Sequence, residues 1–343
     1  MAVKSNRCWY LRKHPVGLIK DGDLELVTEE IPALKDGQFR IRNIYLGLEP
    51  AYRGWMEDIP NLYRPPVKLD HLMEGLGLGV VEESTNPNYS VGDLVSGMIQ
   101  WQEYVITDGT ESGAPFMVLP KLDIPLTAFM SILSMHGLTA YVGLLEVAKL
   151  KEGETLCVTA GAGAVGSLVG QIGKIKGAKV IGIAGTQEKC QWIKEELHFD
   201  EAINYREESI DAKLKEYAPQ GIDVLFENVG GEIMDTILGH MKNQGRVALC
   251  GMISQYNLTE PPPGPKNFIN ILLNRLRVEG FVVLDHGDKF PEILQQLGGW
   301  YAQGRLSSRV DIVEGLENAP LTMNKLFEGS NQGKLIIKIS EEA

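Results

Sequence analysis

Cysteine is sparse in this chain: there are four in 343 residues, and none forms a C-x-x-C pair, so a structural zinc cluster of the usual kind has no ligands to draw on. Cys8, Cys157, Cys190 and Cys250 lie far apart, and two of them sit inside the apolar runs TLCVTA and VALCG. They read as buried, reduced thiols that behave as small hydrophobes. Positive charge is also short. The 33 Lys and Arg against 45 Asp and Glu leave a net charge of -12, which repels a phosphate backbone, and no basic run or helix face provides an exception. Nucleic acid is thereby excluded as a partner. Long hydrophobic runs are missing as well. No stretch reaches the roughly 18–20 apolar residues that span a bilayer, and the opening MAVKSNRCWYLRKHP lacks the apolar core of a signal peptide. The expectation is a cytoplasmic protein with no membrane partner.

What is present is a composition that can bury a sizeable core, 44% hydrophobic and 23% charged, over a length that suits two domains. From about 155 to 283, short Val- and Ile-rich runs alternate with helical patterns. TLCVTA, KVIGIAG, EAINY, DVLFENV, RVALCG and VEGFVV are strand-like, and the segments 164–176, 188–197, 208–217 and 231–241 between them read as helices. This alternation predicts βαβ units and a Rossmann-type, doubly wound α/β domain with a parallel sheet. The first 125 or so residues differ: GQFRIRNIYLGL, LGLGVVEES, GDLVSGM and WQEYVIT are alternating runs broken by Gly, Pro and Asn, which predicts a mostly antiparallel, barrel-like β domain. The tail carries SSRVDIVEG, a helix over 316–328 and GKLIIKIS, and is expected to return to that first domain, leaving the nucleotide fold as an insertion. The expected division is 1–128 as a substrate domain, 129–305 as the dinucleotide domain and 306–343 as the returning segment.

Gly161-Ala162-Gly163-Ala164-Val165-Gly166 is a G-x-G-x-x-G directly after the strand TLCVTA and opening a helix. Glycines there allow a tight turn and close approach of backbone to a pyrophosphate, whose charge is met by the helix N-terminal N–H groups. At the end of the second strand an NAD-binding fold normally places an acid for the ribose 2′-hydroxyl. Here stand Ala184-Gly185-Thr186-Gln187, with Lys189 soon after. A hydroxyl and an ammonium favour a 2′-phosphate, so NADPH is the expected cofactor. Glu188 doing the acid's job is the competing possibility.

At these residues the chain resembles the zinc-free medium-chain dehydrogenases/reductases that include prostaglandin reductase and bacterial curcumin reductase. The resemblance runs over essentially the whole length, through LEPAYRGWM (48–56), GLTAYVGLLEVAKLKEGETL (137–156), AGAGAVGSLVGQIGKIKGAKV (160–180), ENVGGEIMD (227–235), CGMISQYN (250–257), GFVV (280–283), GLENAP (315–320) and NQGKLIIKI (331–339). It implies that Gly163, Ala164, Val165 and Gly166 hold the pyrophosphate, and that Thr186, Lys189 and Tyr205 lie at the adenosine 2′-phosphate. It further implies that Asn228, Cys250, Gly251, Ser254, Tyr256, Phe281, Val282, Val283 and Asn331 line the nicotinamide half, and that the protein is a homodimer. Two departures stand out. The Asp-Pro-x-Met-Arg pattern of relatives reads Glu49-Pro50-Ala51-Tyr52-Arg53 here, so Tyr52 is a candidate pocket residue, and His136 occupies a position where Pro is usual.

Zinc alcohol dehydrogenases of the same superfamily use a Cys in the β domain, a Gly-His-Glu motif and a further ligand to polarise an oxygen. No such set occurs: Cys8 is too early, Gly-His-Glu is absent, and His71 with Glu74 reads as a surface pair. Without a Lewis acid, unactivated alcohols are hard substrates. A conjugated alkene is easier, because hydride adds to the β-carbon and the charge appears on the carbonyl oxygen as an enolate, where a hydrogen-bond donor suffices. Tyr256 is the first candidate donor and Tyr52 the second. The expected activity is metal-free, NADPH-dependent reduction of the carbon-carbon double bond of a small α,β-unsaturated ketone or aldehyde. An NADPH-dependent quinone or allylic-alcohol oxidoreductase, and a non-enzymatic NADPH-binding paralogue on the same fold, are the readings left open.

Overall fold

The first segment supplies eight strands: β1 (Ser5–Leu11), β2 (Leu24–Glu30), β3 (Phe39–Gly47), β4 (His71–Leu72), β5 (Leu76–Ser84), β6 (Leu94–Met98), β7 (Tyr104–Thr107) and β8 (Met117–Val118). The computed structural model describes residues 5–59, 63–110 and 115–342. In β3, Phe39, Ile41 and Asn43 are buried in alternation, and burial becomes continuous from Asn43 on, where the strand lies between two neighbours. One edge of β3 pairs with β5 through two register shifts, and its first half pairs with β7 along the other edge. Such irregularities bend a strand and increase its twist. A short helix, α1 (Ala51–Trp55), follows β3 and buries Tyr52, Arg53 and Trp55. The Arg53 guanidinium is only 1% exposed and donates to the carbonyls of Pro15 and Gly17 and to Glu57, so a buried charge is fully engaged.

The second segment supplies the six-stranded sheet. Its helices are α2 (Met135–Tyr141), α3 (Ala164–Ile175), α4 (Gln187–Glu195), α5 (Ile210–Tyr217), α6 (Gly231–Leu238), α7 (Ile269–Leu273) and α8 (Phe290–Ala302). Its strands are β9 (Thr155–Val158), β10 (Lys179–Ala184), β11 (Glu201–Asn204), β12 (Ile222–Glu227), β13 (Met241–Leu249) and β14 (Arg277–Gly280). All neighbours are parallel and the order is β11-β10-β9-β12-β13-β14. Counted within this sheet that is 3-2-1-4-5-6, the doubly wound order, and the strand order reverses between β9 and β12. The strands read as near-continuous apolar runs because helices flank the sheet: Leu156, Cys157, Val158, Val224, Leu225 and Phe226 are all fully buried. Helix α6 stops at Leu238, short of the expected 241, because Gly239 follows and β13 already begins at Met241.

After α8 the chain rejoins the first strands. β15 (Val310–Glu314) runs parallel to β16 (Lys334–Lys338), and β16 pairs antiparallel with the second half of β3. The resulting seven-stranded sheet stands beside a three-stranded sheet in the order β2-β1-β4. Helix α9 (Ala319–Glu328) begins three residues later than the pattern suggested, since Leu316–Asn318 forms a tighter turn and Pro320 fits the first helical turn. The two compact units are thus Met1–Met130 with Val310–Ala343, and Ser131–Arg309.

Candidate functional site

The turn after β9 carries the first set of expected residues. Ala160 sits at φ 49°, a left-handed conformation uncommon for a residue with a side chain and one that concentrates at functional turns. From there Gly161 N–H donates to the Ile183 carbonyl at 2.8 Å and Gly163 N–H to the Ala160 carbonyl at 2.8 Å. Gly163 caps α3 with no side-chain hydrogen bond, and the first turn of α3 contains no acid. The N–H groups of Ala164, Val165 and Gly166 are therefore left for an anion, with the positive end of the helix behind them. Gly166 is required by close approach: a Cβ there would stand 2.2 Å from the Ala160 carbonyl oxygen.

Thr186, at the end of β10, caps α4, its hydroxyl accepting from Lys189 N–H at 3.2 Å. Lys189 is itself buried. Tyr205 follows β11 and is half-exposed; its ring lies so close to Gly185 that a Cβ there would be 3.0 Å from it. Glu188, the competing acid, is on the exposed face of α4. A further cation went unrecognised in the sequence: Arg206 is exposed, and its guanidinium stands 5.8 Å from the centre of the Tyr205 ring. The only signal for it was its place directly after Tyr205 in INYRE.

The loops after β9, β12 and β13 are laced together by a residue that sequence reasoning missed. Glu227 ends β12 with no exposure, and its Oε1 accepts from the Thr159 hydroxyl at 2.9 Å, Val229 N–H at 2.5 Å and Gly230 N–H at 2.8 Å. Its backbone carbonyl accepts from Cys250 and Gly251 N–H groups at 2.9 and 3.1 Å. Asn228 completes the tie: its N–H donates to the Thr159 hydroxyl at 2.8 Å and its amide to the Thr159 carbonyl at 2.7 Å. Ser254 donates from both N–H and hydroxyl to the Val229 carbonyl. The Tyr256 hydroxyl accepts from Met252 N–H at 3.1 Å. Phe281, directly after β14, meets Phe226 edge to face with ring centres 6.2 Å apart, and Val282 and Val283 lead from it into the next helical turn. Thus Asn228, Cys250, Gly251, Ser254, Tyr256 and Phe281 all stand at the carboxyl ends of β12, β13 and β14, the edge where open parallel sheets bind ligands.

Burial pushes the Glu227 carboxyl above its ordinary value of 4.5, against the hydrogen bonds that hold it down, and its Oε2 has no partner among the described residues. Burial, with the nearby Glu227 charge, likewise pushes the Cys250 thiol up to about 12. A raised acid binds more protons folded than unfolded, so the stability it confers is greatest below pH 4.5 and is lost as pH rises through the higher folded value. Glu227→Gln keeps the accepting oxygen and removes the titration. Thermal melts from pH 5 to pH 8 should therefore show the variant gaining on the wild type as pH rises; parallel curves would mean that the carboxyl does not titrate in this window.

Asn331 and Tyr52 belong to the other compact unit. Asn331 is buried, with its amide donating to the Gly333 carbonyl at 2.8 Å. Beside it Lys334, also buried, donates to the Leu48 carbonyl at 2.8 Å and to Glu49 at 2.5 Å. Removing one partner of such a pair costs about 3–5 kcal/mol because a charge is left uncompensated. Tyr52 does not fit the role of a pocket donor. It has no exposed surface, its hydroxyl accepts from Leu76 N–H at 2.7 Å, and its ring packs on Trp55 and Trp101 at 4.6 and 6.4 Å. The physical reason is the position of its helix: α1 turns this side chain inward onto β5 while Ala51 faces out. His136 is buried at the start of α2, with Nδ1 2.9 Å from the Ser134 hydroxyl that caps the helix. His71 is exposed and Glu74 pairs with Arg64. Among the described residues no group of three or more His, Cys, Asp or Glu is arranged to hold a metal ion, and no helix is long and apolar enough to cross a membrane.

Comparison with known proteins agrees with this layout. Residues 7–114 match a family model described as the N-terminal domain of oxidoreductase, and residues 164–298 match one described as zinc-binding dehydrogenase. The chain is 39% identical to the NADPH-dependent curcumin reductase of Escherichia coli, over 98% of this chain and 97% of that protein. It is 40% identical to the NADP(+)-dependent 2-alkenal reductase of Nicotiana tabacum, over 98% of each. Among solved structures, CurA from Vibrio vulnificus in complex with NADPH superposes with a TM-score of 0.92 at 38% identity, covering 98% of this chain and 100% of that one.

Proposed function

The chain belongs to the medium-chain dehydrogenase/reductase family, within the group that holds the curcumin and 2-alkenal reductases, and from that premise we propose that it uses NADPH to reduce the carbon-carbon double bond of an α,β-unsaturated ketone or aldehyde. The observation that carries the reading is the uncapped, acid-free N-terminus of α3 at the point where the strand order reverses, together with the lack of an acid at Gly185-Thr186. These residues fit a dinucleotide phosphate: Gly166 lets the turn at Ala160 close tightly on the start of α3, and the helix N–H groups there face no acid in the first turn. The relatives supply the substrate class.

In this reading the N–H groups of Ala164, Val165 and Gly166 take the pyrophosphate, and Thr186, Lys189, Tyr205 and the neighbouring Arg206 take the 2′-phosphate. Asn228, the 250–256 loop and Phe281–Val283 hold the nicotinamide half. When bound, the cofactor supplies the hydride that adds to the β-carbon. Tyr256 then donates to the carbonyl oxygen as negative charge develops there, a task that asks for a placed donor and no metal. A panel of enals, enones and quinones, followed by NADPH consumption and product identification, tests the assignment. Enones and enals should be consumed stoichiometrically to saturated carbonyl products, at rates unchanged after exhaustive chelation; preference for quinones, or loss of turnover on removal of zinc, would contradict it.

The same reading includes a homodimer in the cytoplasm. α7 and the edge strand β14 leave Phe268, Ile269, Leu272 and Leu273 exposed beside unpaired strand groups, a face that a second copy would cover. Four unbridged cysteines suit a reducing compartment.

A further inference from the structure

α2 does not end cleanly. It widens into a π-helical turn, Val142–Val147, in which Ala148 N–H donates to the Gly143 carbonyl at 2.9 Å and Leu150 N–H to the Leu144 carbonyl at 3.1 Å. Such turns are rare and occur mostly as single insertions inside α-helices, often at functional sites. Here the carbonyls left over at its end are taken by two arginines from the parallel sheet: Arg277 of β14 donates to the Val147 carbonyl, and Arg246 of β13 to the Ala148 carbonyl at 2.9 Å. Lys289 pairs with Glu146 on the same turn at 2.5 Å. The turn is thus fastened to the two strands whose carboxyl ends carry the 250–256 loop and Phe281.

What the widened turn accomplishes is visible at Gly143. A Cβ there would lie 2.4 Å from Phe281 Cζ and 2.6 Å from Phe226 Cε2, so both ring edges are seated against bare backbone. The two rings are not equally free. Phe226 is fully buried within β12, whereas Phe281 is half-buried past the end of β14 and has room to be pushed outward.

We propose that Gly143, held in the π-helical turn, is a positioning residue that sets how far the Phe281 ring stands out from the sheet edge, and through it the width of the slot for the nicotinamide ring. The proposal rests on Phe281 lining that half of the cofactor site. A methyl group at 143 drives Phe281 into the slot, and because the nearest atom is the far end of a side chain, the fold can accommodate it.

The test uses Gly143→Ala and Phe281→Leu, singly and combined, in the full-length protein. NADPH affinity, kcat and KM with an enone, affinity for 2′,5′-ADP as a probe of the adenosine half, and Tm are measured for each. Gly143→Ala should weaken NADPH binding and lower kcat by on the order of tenfold to a hundredfold, the scale of small misplacements of reacting groups. 2′,5′-ADP affinity should not change. In the Phe281→Leu background, with the nearer ring atom gone, the same Gly143→Ala change should cost little in kinetics, while the contact with Phe226 at 2.6 Å remains and should still lower Tm. An equal kinetic cost in both backgrounds, or a parallel loss of 2′,5′-ADP binding, would show a general disturbance of the unit and overturn the proposal. Wild-type kinetics of Phe281→Leu alone would instead remove Phe281 from the nicotinamide wall; the proposal would fall with it, while coupling between the two positions in Tm would still mark them as packed.

Discussion

Tyr256→Phe should lower kcat for enone reduction by on the order of a hundredfold or more, the usual effect of deleting one preorganised donor to a developing oxyanion. The substitution keeps the ring and removes only the hydroxyl. Because that hydroxyl accepts from Met252 N–H, a small loss of stability, about 1 kcal/mol, accompanies the change. NADPH affinity should stay close to the wild-type value. Steady-state kinetics with direct measurement of NADPH binding separate the alternatives. If binding collapses along with turnover, the tyrosine holds the 250–256 loop in shape and its chemical role is withdrawn. If turnover is unchanged, the donor is not a side chain of this pair of candidates at all, since Tyr52 is sealed in the core of its unit.

The second large effect concerns the choice between cofactors. If Lys189 meets the 2′-phosphate as proposed, Lys189→Ala should remove a charge-assisted contact worth about 1.5–3 kcal/mol, which corresponds to roughly a ten- to hundredfold rise in KM for NADPH. NADH, lacking the phosphate, should be almost unaffected. Since Lys189 is largely covered and Arg206 is exposed beside Tyr205, Arg206→Ala belongs in the same experiment. If Lys189→Ala raises KM for both cofactors equally, the ammonium is a structural part of α4, and a selective loss in Arg206→Ala would transfer the reading of the phosphate to that residue.

The nucleotide fold was legible because its physical demands leave marks in the chain. A sheet covered on both faces needs continuous apolar strands, and a phosphate turn needs glycine where a Cβ would strike backbone, as at Gly166. The returning tail was legible in the apolar run of GKLIIKIS, which β16 buries. Four features were not. The direction of Tyr52 depends on where α1 settles against β5, a tertiary fact to which residue type and spacing are blind. Glu227 drew no reading from the sequence; the one clue was an acid closing the apolar run DVLFENV, and only the fold shows that three loops meet on it. The π-helical turn left no trace, since GLTAYVGLLEVA satisfies helical periodicity equally well with or without an inserted residue. Lys334 and Glu49 lie far apart in sequence, so their pairing had to await the meeting of β16 with β3.

The most direct measurement is to follow the transferred hydrogen. Turnover of an enone with NADPH deuterated at C4 of the nicotinamide on the transferred face, with the product examined by NMR, predicts one deuterium on the β-carbon of a saturated ketone whose carbonyl is intact. Deuterium on the carbonyl carbon of an allylic alcohol, or its absence from the product while NADPH is consumed, would contradict double-bond reduction as the reaction of this protein.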